Sequence, residues 1–140
     1  MIVLDTDHLV VLELMRSDVA NRLVEGLVHA DEDIATTIVS VEEQMRGWLA
    51  AIHGAASPQN QIAPYQRLQR LFDFFADWEI LPWNQQAADK FEELRKNRVR
   101  IGTMDLKIAS IALVRDALLL TSNLRDFQRV PGLRVEDWCR

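Results

Sequence analysis

Acidic residues lie just beyond short apolar runs at widely separated points of the chain. Asp5 follows Ile2-Val3-Leu4, and Glu42 and Glu43 follow the run from Ile34 to Val39. Asp105 opens the stretch leading into Leu118 to Thr121, and Asn123 and Asp126 follow that run. Carboxylates gathered in one place repel each other, and the cost is tolerable only if a cation neutralises them or some stay protonated. With no histidine or cysteine in the set, an all-oxygen group suits a hard ion such as Mg²⁺ or Mn²⁺. Such an ion can stabilise charge on a phosphate and acidify an attacking water, so the chemistry indicated is phosphodiester hydrolysis. Taken singly, Asp105 reads equally well as a helix-start residue favoured by the dipole, and Asp126 as a turn residue. Asp5 is harder to dismiss, because an aspartate directly behind an apolar strand is expensive to desolvate without a purpose.

These positions converge only if particular elements carry them. Ile2 to Leu4 is too short and too β-branched for a helix and suits a buried parallel strand. Leu9, Leu12 and Met15 form a helical stripe, and Val19, Leu23 and Leu27 form another after a cap at Ser17-Asp18. Asp31 to Asp33 reads as a polar loop, Ile34 to Val39 as a second strand, and Ser40 as the cap of a helix carrying Val41, Met45, Trp48, Leu49 and Ile52. Gly54 to Pro64 reads as a loop. A helix from about Tyr65 to Ala76 should turn Leu68, Leu71, Phe72 and Phe75 inward. Glu79 to Trp83 reads as a short strand, Gln85 to Lys96 as a helix carrying Ala88, Phe91 and Leu94, and Met104 or Asp105 to about Arg115 as another. Leu118 to Thr121 and Leu133 to Val135 complete the strands. Alternating strands and helices predict an α/β fold of three layers, a central parallel sheet of four or five short strands flanked by helices. In such sheets ligands bind at the carboxyl ends of the strands, where the acids lie.

Composition narrows the class. A chain of 140 residues with 49% hydrophobic and 26% charged content fits one domain spanning residues 1–140. No apolar run approaches the ~20 residues of a membrane helix, so a soluble, cytoplasmic protein is expected. The single cysteine, Cys139, excludes a disulfide framework within the chain and reads as inert. The net charge of −5 is unevenly spread: residues 1–64 hold ten acidic and three basic side chains, whereas residues 95–134 hold nine basic ones against three acidic. That asymmetry fits carboxylates in one place and cations offered to phosphates in another, although solvated helix faces would give the same count.

Leu4-Asp5-Thr6-Asp7, Ser40-Val41-Glu42-Glu43-Gln44-Met45-Arg46-Gly47, Asp105-Leu106-Lys107-Ile108-Ala109, Leu120-Thr121-Ser122-Asn123-Leu124-Arg125-Asp126-Phe127 and the stretch from Val130 to Trp138 occur in an order that resembles VapC-type PIN domains. Each block is weak alone; the ordered set spans nearly the whole chain. The resemblance implies a PIN-like fold and an endoribonuclease that takes Mg²⁺ or Mn²⁺ in a carboxylate pocket. It also implies an RNA substrate, homodimer formation, and inhibition by a cognate antitoxin that inserts a segment into the active-site groove. Asp5, Asp105 and Asp126 match the first, third and fourth acids of the family, and Asn123 a polar residue lining the same pocket. For the second acid, the glycine four residues on selects Glu43 through Gly47, whereas the apolar stripe puts Glu42 on the flank of the buried face and Glu43 opposite it. Glu43 is preferred, with Glu42 in a supporting place.

Thr6 and Thr121 carry hydroxyls able to hydrogen-bond the carboxylates. Arg98, Arg100, Lys107 and Arg125 flank the acidic segments and are candidates for RNA phosphates or an acidic antitoxin tail. Asp7 reads as a helix cap that could also aid a metal, and His8 as a surface or rim residue. Trp48, Trp78, Trp83 and Trp138 border apolar runs and read as packing residues. A receiver-like signalling domain fits poorly, since the second strand ends in Ser40 and the late strand is followed by Ser122-Asn123 where a lysine is needed. A PIN-fold binding module without catalysis, or a DNA nuclease, remain as alternatives within the fold.

Overall fold

The computed structural model covers residues 1–140. Five parallel strands form one sheet: β1 (Ile2–Leu4), β2 (Ile34–Thr37), β3 (Glu79–Leu81), β4 (Leu118–Leu120) and β5 (Arg134–Glu136), in the order β3-β2-β1-β4-β5. Seven helices connect and cover them: α1 (Thr6–Leu14), α2 (Asp18–Ala30), α3 (Ile38–Gly54), α4 (Ile62–Phe75), α5 (Gln85–Lys96), α6 (Thr103–Val114) and α7 (Leu124–Phe127). No helix is long and apolar enough to cross a membrane.

The pleat assigns each strand residue to one of two cores. Val3, Ala35, Leu81 and Leu119 pack with Phe91 and Leu94 of α5 and with Leu106, Ile108 and Ile111 of α6. Ile2, Leu4 and Leu120 pack on the opposite face with Leu9 of α1, Leu23 and Leu27 of α2, and Leu71 and Phe75 of α4. β1 is buried on both faces, which is why it reads as an unbroken apolar run. The chain runs from β1 through β2 to β3 on one side of the sheet and then crosses to β4 and β5 on the other. The strand order therefore reverses between β1 and β4, and a crevice opens beyond their carboxyl ends.

Several local expectations are corrected. β2 stops at Thr37, and the helix begins at Ile38 despite its β-branched start. Its cap is Thr37, whose Oγ1 accepts from the Ser40 amide at 3.0 Å and donates to Ser40 Oγ at 3.2 Å. Ser40 is a buried first-turn residue instead. The segment predicted as a loop through Pro64 contains a 3₁₀ turn at Gln59–Gln61 and the start of α4, where Pro64 sits in the first turn and its missing N–H is harmless. Phe72 points outward at 64% exposure, because Leu71 and Phe75 already define the buried stripe of α4. Met15 leaves the α1 stripe: it is the C-cap, in the left-handed region at φ 43°, and is exposed. Leu49 is 39% exposed, and Ala87 rather than Ala88 meets the core. The third strand ends at Leu81, before Trp83, and the fifth is shifted one residue to Arg134–Glu136.

Thr37 is fully buried, so its cap carries a measurable share of stability. Thr37→Val removes the cap and leaves the Ser40 hydroxyl without its donor, for an expected loss of about 1–3 kcal/mol. Ser40→Ala keeps the amide bond to Thr37 and should cost clearly less. Urea unfolding of the two variants checks the order.

Candidate functional site

Asp5 occupies the crevice directly after β1. Its backbone N–H continues the sheet by donating to Leu120 O at 2.9 Å, which fixes the residue opposite the end of β4. Its side chain is the N-cap of α1, with Oδ1 accepting from the Thr6 amide at 2.8 Å. Oδ2 accepts from Thr121 Oγ1, also at 2.8 Å, from just beyond β4. The residue is only 6% exposed. Burial, reinforced by the charges of Asp7 and Asp105, pushes its carboxyl up to about 7 against the opposing pull of the Thr121 and Thr6 bonds.

Glu43 reaches the same place from α3. Its Oε2 accepts from Thr6 Oγ1 at 3.2 Å, while its Oε1 is buried with no hydrogen-bond partner. Burial, with the charges of Asp105, Asp7 and Glu42, raises its pKa. Glu42 takes a different direction and pairs with Arg46 of its own helix at 2.7 Å on the exposed side. The expected supporting place of Glu42 is therefore not found: it makes a surface i,i+4 ion pair. The helix begins at Ile38, three residues before Val41, so both glutamates lie in its second turn, where Glu43 follows buried Val39 and Ser40 on one helix face. The geometry thus brings Glu43, and not Glu42, to the other acids.

Asp105 enters from the first turn of α6 and Asp126 from α7. One amide joins them: Asn123 Nδ2 lies 3.2 Å from Asp105 Oδ2 and 3.1 Å from Asp126 Oδ2, so its two hydrogens serve two carboxylates. The Asn123 amide N–H in turn donates to Thr121 Oγ1 at 3.1 Å. Burial, followed by the Asp126 charge, raises the pKa of Asp105. The four acids expected from the sequence, with Thr6, Thr121 and Asn123, thus form one linked group across the β1/β4 crevice.

Three raised carboxyls and one buried, partnerless carboxylate oxygen describe a site short of positive charge. Every donor is oxygen, which fits a hard divalent cation. His8, Asp137 and Cys139 also bring potential ligand atoms within 4.8 Å of one another. That trio is poorly suited to a metal, because the His8 Nε2 lone pair already accepts from the Trp138 amide at 3.1 Å. Burial and the Asp137 charge also push the Cys139 thiol up to about 11.

Arg98 and Arg100 are exposed and share a shallow cleft with Arg95 and Thr103. Thr103 also lines the depression holding Glu43, Arg46 and Asp105, so the basic cleft abuts the acidic one. Lys107 sits over the Trp83 ring at 5.7 Å, and Arg125 is exposed on α7 beside Asp126.

Two neighbours of Asp5 take places that the sequence reading did not give them. Asp7 is not the cap of α1. One of its oxygens accepts from the Ser122 amide at 2.9 Å, and the other meets His8 Nδ1 at 2.7 Å. These bonds hold its pKa below the usual range although burial opposes them. His8 is fully buried instead of lying on the rim. The sequence did contain a signal: with Asp5 as the cap, positions 8, 9 and 12 share one helix face, and Leu9 lies in the core.

The PIN domain family matches residues 2–133 of the chain. The tRNA(fMet)-specific endonuclease VapC of Salmonella typhimurium is 37% identical over 92 residues, 63% of this chain and 67% of that protein. Ribonuclease VapC1 of Haemophilus influenzae is 28% identical over 142 residues, covering 98% of this chain and 97% of the relative. Among solved structures, VapBC2 from Rickettsia felis bound to a DNA fragment from its promoter superposes with a TM-score of 0.73 at 26% identity, covering 99% of each chain. With the family match spanning almost its whole length and the strand order and acid cluster both in place, the chain belongs to the PIN domain family.

Proposed function

We propose that this chain, read as one domain over residues 1–140, is a divalent-metal-dependent endoribonuclease and the toxin of a toxin–antitoxin pair. The observation that carries the chemistry is the convergence of Asp5, Glu43, Asp105 and Asp126 beyond β1 and β4, with Glu43 Oε1 buried and without a partner. The biological role is supported by the VapC relatives, two of them named as tRNA(fMet)-specific endonucleases. On this reading the partners are RNA, a cognate antitoxin and a second copy of the chain, in the cytoplasm.

Asp5, Glu43 and Asp105 would hold the ion, Mg²⁺ or Mn²⁺, and Asp126 completes the group through Asn123. When bound, such an ion stabilises charge developing on the phosphate and acidifies the attacking water. The protein's part is to keep the carboxylates at fixed positions before substrate arrives. The Thr6 amide and Thr121 hydroxyl fix both oxygens of Asp5, the Thr6 hydroxyl fixes one oxygen of Glu43, and Asn123 ties Asp105 to Asp126. Arg98 and Arg100, in the cleft that meets the acids at Thr103, offer cations to the flanking phosphates of an RNA strand or to an acidic segment of the antitoxin, with Lys107 and Arg125 at the margins.

Asp5→Asn should abolish metal-dependent cleavage of RNA while the protein stays folded; full activity in that variant would sink the mechanism. Glu43→Gln should lower kcat by at least about a hundredfold, whereas Glu42→Gln should stay close to wild type. Charge reversal at both Arg98 and Arg100 should raise KM for RNA and flatten the salt dependence of RNA binding; unchanged cleavage and antitoxin affinity would remove them from both roles.

A stability experiment tests the ion separately. The Asp5 carboxyl titrates at about 7 in the folded protein against 3.8 as its ordinary value, so its neutral form is favoured by folding. Its contribution is fully present below about pH 4 and is lost as pH rises through 7, up to about 4 kcal/mol across that window. In EDTA, wild type should therefore lose stability relative to Asp5→Asn between pH 5 and 8, and millimolar Mn²⁺ should restore wild type only. Parallel melting curves in EDTA would contradict the desolvation argument.

A further inference from the structure

His8 is the buried titratable residue beside the acid pocket to which the proposed chemistry gives no part. Its ring is fully enclosed and both nitrogens are engaged, Nε2 by the Trp138 amide at 3.1 Å and Nδ1 by Asp7 Oδ1 at 2.7 Å. A nitrogen that accepts from a backbone N–H carries no hydrogen itself, so the ring proton is on Nδ1 and is donated to Asp7. The other Asp7 oxygen accepts from the Ser122 amide and lies 3.4 Å from Thr121 Oγ1, the hydroxyl that serves Asp5. One carboxylate is thus clamped from two sides, by its own helix and by the turn after β4. Its charge is near enough to bear on Asp5, Glu43 and Asp105.

The Trp138 amide is itself held in place. A Cβ added to Gly26 of α2 would come within 3.1 Å of the Trp138 ring, so the glycine makes the slot in which the indole lies. Asp137 Oδ1 accepts from the Cys139 amide at 2.9 Å and stiffens the segment around Trp138.

We propose that His8 is a positioning residue for the metal pocket: locked as the Nδ1–H tautomer by the Trp138 amide, it holds Asp7 against the end of β4 and so couples segment 137–139 to divalent-cation affinity. The proposal rests on the metal-nuclease reading above. Ligand orientation set by hydrogen bonds one step removed from a metal commonly controls affinity by ten- to a hundredfold.

Two substitutions separate the two ring nitrogens. His8→Asn places an amide nitrogen near the Nδ1 position and keeps a donor for Asp7. His8→Gln reaches the Nε2 position and keeps an acceptor for Trp138, but loses the donor. Mn²⁺ affinity is measured by titration calorimetry on the intact protein, with melting in EDTA as the control for folding. His8→Gln should bind Mn²⁺ about tenfold or more weakly, and His8→Asn within about threefold of wild type. Wild-type affinity in His8→Gln, or equal losses in both variants, overturns the positioning role. A second measurement needs no substitution: ¹⁵N NMR of histidine-labelled wild type should report His8 as the Nδ1–H tautomer at pH 7, and an Nε2–H or doubly protonated ring overturns the proposal. If wild type binds no Mn²⁺ at all while the tautomer is as expected, the metal reading has failed rather than the hydrogen-bond geometry, and the coupling falls with it.

Discussion

Desolvation of Asp5 is the constraint to which the surrounding structure answers. The residue continues β1, a strand with no exposed position, and its backbone is tied to the end of β4, so its carboxylate has nowhere to go but the crevice between those strands. Burial alone favours the neutral form of a carboxylate there. Two short hydrogen bonds favour its charged form, while nearby Asp7 and Asp105 oppose it. The result is a group poised near neutrality, sensitive to any positive charge that arrives.

Each supporting bond comes from a different part of the chain, and the parallel topology makes that possible. Thr6 stands on the first turn after β1 and serves two acids at once, its amide reaching Asp5 and its hydroxyl Glu43. Thr121 and Asn123 come from beyond β4 and serve Asp5, Asp105 and Asp126. Because all five strands point the same way, every strand end opens on the same edge of the sheet. An antiparallel sheet with the same residues would scatter them over both edges. The site therefore depends on the two apolar cores far more than on local propensity, since those cores hold the strand ends and helix starts in register.

The arrangement trades stability for chemistry. Like charges at partial burial oppose folding in the absence of a cation, and the buried oxygen of Glu43 adds an unmet hydrogen-bonding demand. Sites of this kind are where sequence-level rules fail for functional reasons. The basic cleft beside the acids is exposed and largely unpaired, which suits a polyanion held by several weak contacts more than a structural role.

The sequence by itself determined the layer plan, because continuous apolar strands alternating with amphipathic helices admit few other solutions. It also pointed to Asp5, Asn123 and Asp126, which follow buried strands, and to Asp105, which opens the helix leading into β4 and matches the family pattern. It did not determine where β2 gave way to α3. Ile38 and Val39 favour a strand intrinsically, and only the Thr37 cap and the packing of Val39 into the core made them helical. With the helix extended back to Ile38, Glu43 shares a face with buried Val39 and Ser40 and meets Thr6, while Glu42 pairs with Arg46. The place of His8 was likewise decided by tertiary structure alone: its second nitrogen is satisfied by an amide 130 residues away along the chain, and no local pattern encodes a hydrogen bond of that range.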